Sequence, residues 1–319
     1  MPNMLGLFNN RFSTTEGWLE QNVGHLFLQM ANFLTIEKRI QIYHLLCEGN
    51  GITSISRIVG CSKQTITLLL ARFSAIVDYL NKKLVRDIEI EMVEADEIRT
   101  FVRIKENIRW IYIAMDRESR LVINFHVGSR DAVDAKIFLS DLSYKLNSKT
   151  PVAMDCLKSY VTAVKRTPYG RIEAATSSIG LLRAKDYKKE LPRSITNRIE
   201  THNGNVRQHV SRLTRKTRCF SKSDDKLKQH LNLFFFYYNF IKIHKAIKTT
   251  PAVSSGIADK PFTFDVLIDY DNMFTENPSK RGKYKPREKK KRAKVVSIDK
   301  EFMQEIKSGM SANRKVNNQ

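Results

Sequence analysis

Cysteine is scarce in this sequence, and the few that occur are far apart. Cys47, Cys61, Cys156 and Cys219 form neither a CxxC zinc pair nor a closely spaced disulfide framework. The histidines show no HxH or HExxH pattern, so a zinc site has no support either. We therefore expect a protein of a reducing compartment, namely the cytoplasm.

Long apolar runs and nucleotide-binding patterns are missing as well. No stretch of roughly 18 or more apolar residues occurs, so no membrane span is predicted. Residues 1–34 lack the basic and apolar regions of a signal peptide and are treated as an N-terminal extension. Neither GxxxxGK[ST] nor GxGxxG is present, so we expect no nucleotide cofactor.

Acidic residues are few relative to basic ones. The chain has 55 Lys and Arg against 33 Asp and Glu, a net charge of +22. Such an excess attracts polyanions such as double-stranded DNA, although a merely basic protein would share it. Residues 258–319, which include "PSKRGKYKPREKKKRAK", are predicted to be a flexible basic tail that touches DNA non-specifically.

Residues 35–82 are predicted to form an all-α helix-turn-helix domain. The first helix, capped by Thr35, places Ile36, Ile40, Tyr43, Leu46 and Cys47 on one face. In "ITSISRIVGCSKQTITLLLARF", Gly60 falls in the turn, and the inward positions hold Ile55, Val59, Cys61, Ile66 and Leu69. Ser62 caps the second helix, whose outward residues Ser62, Lys63, Gln64 and Thr67 are candidate DNA contacts. An ordinary helical hairpin has a similar apolar face, but the charge of the chain favours DNA binding.

Residues 86–257 show an α/β pattern. Three β-rich runs come first and suit an antiparallel meander; they precede an amphipathic helix, "DAVDAKIFLSDLSYKLN". The apolar side of that helix is predicted to contain Val133, Ile137, Leu142, Leu146 and, in part, Leu139. A strand ending on Asp155, a helix, a less regular strand at "RIEAATS" and a long helix from Thr196–Asn197 follow. This alternation predicts a mixed sheet with helices on both faces.

Three carboxylates lie where such a sheet could gather them. Asp96 is in the first strand, Asp155 ends the fourth strand, and Glu200 is in the first turn of the long helix. Carboxylate oxygens are the ligands that Mg²⁺ prefers, and a pair of such ions suits phosphodiester chemistry. The sequence therefore predicts a metal site formed by these three residues.

Each carboxylate also has an ordinary structural interpretation. Glu94 and Glu97 compete with Asp96 for the metal-binding role. Glu200 could instead be a helix N-terminal acid or a salt-bridge partner of Arg198 or Arg207. Asp116, in "AMDRES", is interpreted as a turn residue that ends the second strand.

The helix that contains Glu200 leads into a run of cations. Acids are almost absent there, which favours DNA contacts over a solvated helix face. The candidate DNA-binding residues of this run are Arg207, Arg212, Arg215, Lys216, Arg218 and Lys222. By contrast, the aromatic segment "KLKQHLNLFFFYYNFIKIHKAI" has too wide an apolar face for base stacking and is predicted to be a core helix.

The chain from about Thr35 to Ile257 resembles the transposases of the insertion sequence one family, which are DDE enzymes with an RNase H-like core. The matching pieces include "EADEIRTFV", "WIYIAMDRESRLVINFHVGSR", "RLTRKTRCFSKS" and "YNFIKIHKAIKTTPAVSSGI". The resemblance implies an α/β fold with an RNase H-like mixed five-stranded sheet flanked by helices, preceded by the helix-turn-helix domain. It also implies that Asp96, Asp155 and Glu200 form the catalytic triad.

The resemblance further implies two Mg²⁺ (or Mn²⁺) ions, cleavage at terminal inverted repeats and joining of the freed 3′-hydroxyl to target DNA. We expect a homo-oligomer on DNA. The sequence departs from the family pattern at Cys156, Thr201 and Gly204, where the family has glycine, arginine and leucine. These departures leave two alternatives open: a non-catalytic DNA-binding regulator or transposase remnant, and an RNase H-like nuclease that cuts without joining.

Overall fold

The computed structural model describes residues 34–154, 163, 172–176, 196–216 and 218–275. Three helices begin this part of the chain: α1 (Ile36–Cys47), α2 (Ile52–Val59) and α3 (Lys63–Leu84). The Thr35 and Ser62 hydroxyls accept hydrogen bonds from the first turns of α1 and α3, as predicted. Gly60, between α2 and α3, has a left-handed backbone with φ 68°, which favours glycine.

Most of the apolar positions predicted for these helices are buried. Ile55, Val59, Ile66 and Leu69 form part of the core, whereas Cys61 is half-buried. The prediction was wrong for Ile36, which is 42% exposed because it lies in the first turn of α1.

Within the described residues, one mixed sheet contains β1 (Val93–Phe101), β2 (Ile108–Asp116), β3 (Val122–Gly128), β4 (Thr150–Met154) and β5 (Ile172–Thr176). Its strand order is β3-β2-β1-β4-β5. The first three strands pair antiparallel, and β4 pairs parallel with both β1 and β5. The predicted mixed sheet flanked by helices is therefore confirmed.

Helix α4 (Ala132–Lys145) packs against β3 and β2. Its buried residues are Ala135, Phe138, Leu139, Leu142 and Ser143. The sequence had placed Val133 and Ile137 on this apolar side, but they are 68% and 43% exposed. The error arises because both faces of this short helix carry apolar residues, and the larger group that includes Phe138 packs on the sheet.

The remaining helices are α5 (Asn197–His209), α6 (Asp224–Phe236), a π-helical turn (Tyr237–Ile241), the short α7 (Pro251–Ser254) and α8 (Asp265–Thr275). Helix α6 packs against α3 and β3, and its leucines and phenylalanines are buried. The prediction of a core helix there is confirmed. No helix in the described part of the chain combines the length and apolarity needed to cross a bilayer.

A buried ionic cluster ties α8 to the N-terminal helices. Asp271 is 0% exposed and accepts hydrogen bonds from Arg72 Nε at 2.8 Å and Arg39 Nη1 at 2.5 Å. The flexible tail was predicted to begin at residue 258, yet α8 is a packed helix, and its Asp271 is shared by two buried arginines. Residues 276–319 of the predicted tail lie outside the described residues.

Candidate active site

Two acidic side chains project from the same face of β1 toward α5. Glu94 and Asp96 are two residues apart, so their side chains share a face of the strand. Helix α5 covers this face with Ile199, Asn203 and Val206, which are all buried. The sheet and α5 therefore form the framework of the site.

Glu94 holds the start of α5 against β1. Its side chain is fully buried, accepts a hydrogen bond from the Ile199 backbone N at 2.8 Å and pairs with Arg117. Burial raises the pKa of Glu94, although the Ile199 hydrogen bond and the arginine charges act in the opposite direction. With its oxygens engaged in this way, Glu94 has a structural role and is a poor competitor of Asp96.

Asp96 occupies a half-buried position farther along the strand. Asn203 Nδ2 donates a hydrogen bond to Asp96 Oδ2 at 2.7 Å, which joins the middle of α5 to β1. Glu97, the other competitor, lies on the opposite face of β1 and pairs with Arg130 at 3.1 Å. Among these three acids, Asp96 alone is both directed toward α5 and partly open to solvent.

Glu200 lies one turn before Asn203 on α5 and is exposed. The Thr196 hydroxyl donates to Glu200 Oε1 at 3.1 Å, and within the described residues Glu200 makes no salt bridge. Arg198, a predicted alternative partner, instead donates to the Arg117 carbonyl and lies 3.4 Å from Glu118. An exposed glutamate that pairs with no cation of the described part of the chain, in a sequence of net charge +22, is available to a metal ion.

Arg207 brings positive charge to the same region of α5. It lies seven residues after Glu200, on the same side of the helix as Asn203, and is half-buried. Burial and the Arg215 charge lower the pKa of Arg207, whereas the Asp96 charge opposes this shift. Arg207 and Asp96 thus interact electrostatically.

The other candidate DNA-binding cations fall into two groups. Arg215, Lys216, Arg218 and Lys222 are exposed, and Lys222 Nζ lies 3.8 Å from the centre of the Phe220 ring. Arg212 is only 8% exposed and its Nη1 donates to Ser221 Oγ at 3.4 Å. The prediction of a DNA contact at Arg212 was therefore wrong, because its guanidinium is enclosed in the loop that follows α5.

The candidate contacts at the start of α3 differ in their exposure. Ser62, Lys63 and Gln64 are exposed, as a surface for DNA requires. Thr67 is half-buried and its hydroxyl donates to the Lys63 carbonyl at 2.8 Å. Thr67 is therefore the least available of the four.

The structure also adds residues that sequence reasoning missed. Asn203 and Arg117 hold the two β1 acids: Asn203 lies 107 residues from Asp96 in sequence, and Arg117 lies 23 residues from Glu94. The spacing of Asn203 three residues after Glu200 was the available signal, since such residues share a helix face. Asp116 is confirmed as a turn residue: it is buried and accepts a hydrogen bond from the Ser119 backbone at 2.9 Å.

Behind the site, α5 packs into an aromatic cluster. His202 is 2% exposed, lies against Phe235 and Tyr238, and has no hydrogen-bond partner on either ring nitrogen. Burial lowers the pKa of His202 to about 3, with a smaller contribution from His244. His202 is therefore a neutral core residue at neutral pH.

Asp155, the third predicted carboxylate, lies outside the described residues. Among the residues that are described, no three His, Cys, Asp or Glu side chains come close enough together to hold a metal ion. Asp96 and Glu200 thus lie on a strand and a helix that pack together, and the completion of a three-carboxylate site depends on a residue outside this set.

Comparison with known proteins gives the following similarities. A model of the IS1 transposase family matches residues 174–240, a segment that contains Glu200, Asn203 and Arg207. The insertion element IS1 protein InsB of Shigella flexneri is 30% identical over 148 residues, which are 45% of this chain and 96% of that protein. The insertion element IS1 2 protein InsB of Escherichia coli strain K12 is 29% identical over 152 residues, which are 47% and 75% of the two chains.

Among solved structures, one match is a chain from a simian T-cell lymphotropic virus intasome in complex with the PP2A regulatory subunit B56 gamma. It shares 10% sequence identity, covers 67% of this chain and 71% of that chain, and has a TM-score of 0.35. This likeness is too distant to bear on the site.

Proposed function

This chain belongs to the IS1 transposase family, and from that premise we propose that it cleaves and joins DNA at Asp96, Asp155 and Glu200. The observation that carries the proposal is the hydrogen bond from Asn203 to Asp96. It links the strand that carries one carboxylate to the helix that carries another. The other acids nearby, Glu94 and Glu97, are each engaged by an arginine.

The register of the sheet supports the inclusion of Asp155. Strands β1 and β4 run parallel, with Val93 opposite Val152 and Glu94 opposite Ala153. Two residues after Glu94 and Ala153, the sequence reaches Asp96 and Asp155, respectively. The strand order and directions of the sheet also support the RNase H-like core that the family resemblance implies.

The donor set fits a hard divalent cation. Asp96 and Glu200 provide carboxylate oxygens, as Mg²⁺ and Mn²⁺ prefer, and Asp155 would provide a third carboxylate. Two such ions, when bound, would supply activation of the attacking oxygen and stabilisation of the leaving oxygen in cleavage of the element end and in joining of its 3′-hydroxyl.

The protein's own residues orient this chemistry. Glu94 accepts a hydrogen bond from the first turn of α5, and Asn203 of α5 donates one to Asp96. These two hydrogen bonds hold α5, which contains Glu200, against β1, which contains Asp96. Half-buried Arg207, on the same side of α5 as Asn203, would contact a phosphate beside Asp96. The exposed Arg215, Lys216, Arg218 and Lys222 would extend this contact along the strand of DNA.

We propose that the start of α3 reads the terminal inverted repeats. Helices α2 and α3 are joined through the left-handed Gly60, and Lys63 and Gln64 at the beginning of α3 face solvent. In helix-turn-helix proteins the N-terminal residues of the second helix contact base edges in the major groove. Lys63 and Gln64 are thus the candidates for sequence recognition.

A strand-transfer assay tests the catalytic assignment. The substrate is DNA carrying the inverted repeats that flank the coding sequence, with Mg²⁺ or Mn²⁺, and the variants are Asp96→Asn, Asp155→Asn and Glu200→Gln. Each should reduce cleavage and joining by roughly a thousandfold or more, equivalent to about 4 kcal/mol of transition-state stabilisation. The exposed Glu106→Gln variant is the matched control and should retain activity.

Binding to the same DNA, followed by fluorescence anisotropy, should persist in all four variants. Normal strand transfer by Asp155→Asn would refute the assignment. If the unmodified chain binds the repeats but neither cuts nor joins them, it is a non-catalytic DNA-binding protein. If it cuts without joining, the nuclease alternative holds.

A further inference from the structure

Helix α4 carries an apolar stripe on the face opposite the sheet. Val133, Ile137 and Tyr144 are 68%, 43% and 60% exposed, and Ser140 completes the row. Ala135, Phe138 and Leu142 on the other face pack on the sheet, so the exposed residues are not needed to cover it. Helix α4 thus has apolar residues on two faces: one packs against the sheet, and the other is exposed to solvent.

The spacing of this stripe is that of a coiled-coil seam. Positions 133, 137, 140 and 144 are separated by four, three and four residues, the a and d spacing of a heptad repeat. Two exposed charges, Lys136 and Asp141, flank the stripe on its two sides and occupy the g and e positions. The face therefore has both an apolar seam and the charge pattern of a helix that pairs with another helix.

The signs of these charges define the partner and its orientation. In a parallel pair of α4 helices, the g side of one helix meets the e side of the other. Lys136 of each copy then faces Asp141 of the other, which gives two pairs of opposite charges. In an antiparallel pair, each flank meets the same flank of the partner, and Lys136 would face Lys136. The charges of α4 thus complement a parallel second copy and oppose the antiparallel arrangement.

We propose that two copies of this chain associate through α4, as a parallel helix pair about a two-fold axis that runs along the helices. Val133 of one copy contacts Val133 of the other, and Ile137 and Tyr144 form like pairs. A single pair of helices this short buries less than the roughly 1,000 Å² of a stable interface, so the association is weak and concentration-dependent. The association is measured without DNA or metal, so a failure to detect it would not bear on the catalytic proposal.

Cysteine cross-linking tests the parallel register directly. In a Cys219→Ser background, which removes an exposed thiol, Val133→Cys should form a disulfide-linked dimer under mild oxidation. The matched control is Ile243→Cys, whose parent side chain is similarly exposed at 62% but lies far along the sequence from α4. Pairing raises the local thiol concentration, so cross-linking of Val133→Cys should be about tenfold faster than that of the control. Adding Ile137→Glu should remove the difference, with the circular dichroism spectrum unchanged because Ile137 is partly exposed.

Charge exchange provides a second measurement. By sedimentation equilibrium, Lys136→Asp should abolish the concentration-dependent rise in mass, and Lys136→Asp combined with Asp141→Lys should restore it. Equal cross-linking of Val133→Cys and Ile243→Cys, with a monomer at all concentrations, would overturn the proposal. So would cross-linking only between Val133→Cys and Tyr144→Cys chains, which indicates antiparallel pairing. A Val133→Cys thiol that resists both cross-linking and maleimide would overturn it as well, since the chain itself would then cover this face.

Discussion

The ionic cluster around Asp271 and the candidate active site both join distant parts of the chain, but they treat charge in opposite ways. Asp271 is 0% exposed and is shared by Arg39 and Arg72, which lie 232 and 199 residues away in sequence. Asp96 is half-buried and is held by the neutral amide of Asn203, while Glu200 is exposed. In the first region a buried carboxylate is shared by two arginines and joins distant helices, whereas in the second, carboxylates lie near solvent. This difference indicates which region is suited to bind an external cation.

The largest expected effect comes from removing the shared acid of the buried cluster. Asp271→Ala leaves two nearly buried arginines without their counter-charge and should lower the free energy of unfolding by about 3–5 kcal/mol. Urea denaturation measures the change. Asp269→Asn, an exposed position on the same helix, is the control and should have little effect. A loss below about 1 kcal/mol for Asp271→Ala would show that the cluster contributes little beyond its own desolvation cost.

An intermediate effect is expected on the buried side of α5, where His202 lies. Its pKa is lowered to about 3 by burial, so below its usual pKa the unfolded chain binds a proton that the folded chain cannot. Stability should therefore fall as the pH drops from about 6.5 toward 3. His202→Phe removes this contribution, which is on the order of 2 kcal/mol between pH 7 and pH 5.

Urea denaturation at pH 7 and pH 5 compares the two proteins. His230, whose pKa is lowered to about 4 by burial, should leave a residual pH dependence in the variant. At pH 7 the Phe variant should lie within about 1.5 kcal/mol of the parent, because the ring is similar in shape and the apolar site has no polar partner. An unchanged slope between the two pH values would contradict the burial of a neutral His202.

The smallest effect is expected on the solvent side of the same helix. Gly204 is exposed, and a Cβ at this position would meet no atom from outside its own helix turn within 4 Å. Gly204→Ala should therefore raise the free energy of unfolding by roughly 0.5–1 kcal/mol, the difference in helix propensity, without affecting strand transfer. Thermal denaturation and the strand-transfer assay measure the two properties. Destabilisation would indicate a constraint at this position that the packing does not reveal.

Local patterns were the most predictable part of the fold. The caps at Thr35 and Ser62 and the turn at Gly60 follow from interactions within a few residues, so the sequence indicates them directly. The two sides of α4 were confused because both carry apolar residues, and only the packed sheet distinguishes them.

In the candidate site, Asp96 and Glu200 could be selected from residue type and position on predicted elements. The hydrogen bond from Asn203, the pairing of Glu94 with Arg117 and the burial of Arg212 could not be predicted. Each of these depends on which strand lies beneath which helix turn, information that arises from tertiary packing. The role of Asp271 was missed for the same reason, since its partners are near the opposite end of the chain.

The pairing of Arg72 with Asp271 also has a consequence for the order of events during translation. The ribosome makes Arg72 first and must add 199 more residues before its partner exists, which takes roughly 10–40 s at typical elongation rates. During that interval α3 is present without the counter-charge that neutralises its buried arginine. The candidate DNA-reading helix therefore reaches its final packing late in synthesis, after residue 271 has been added.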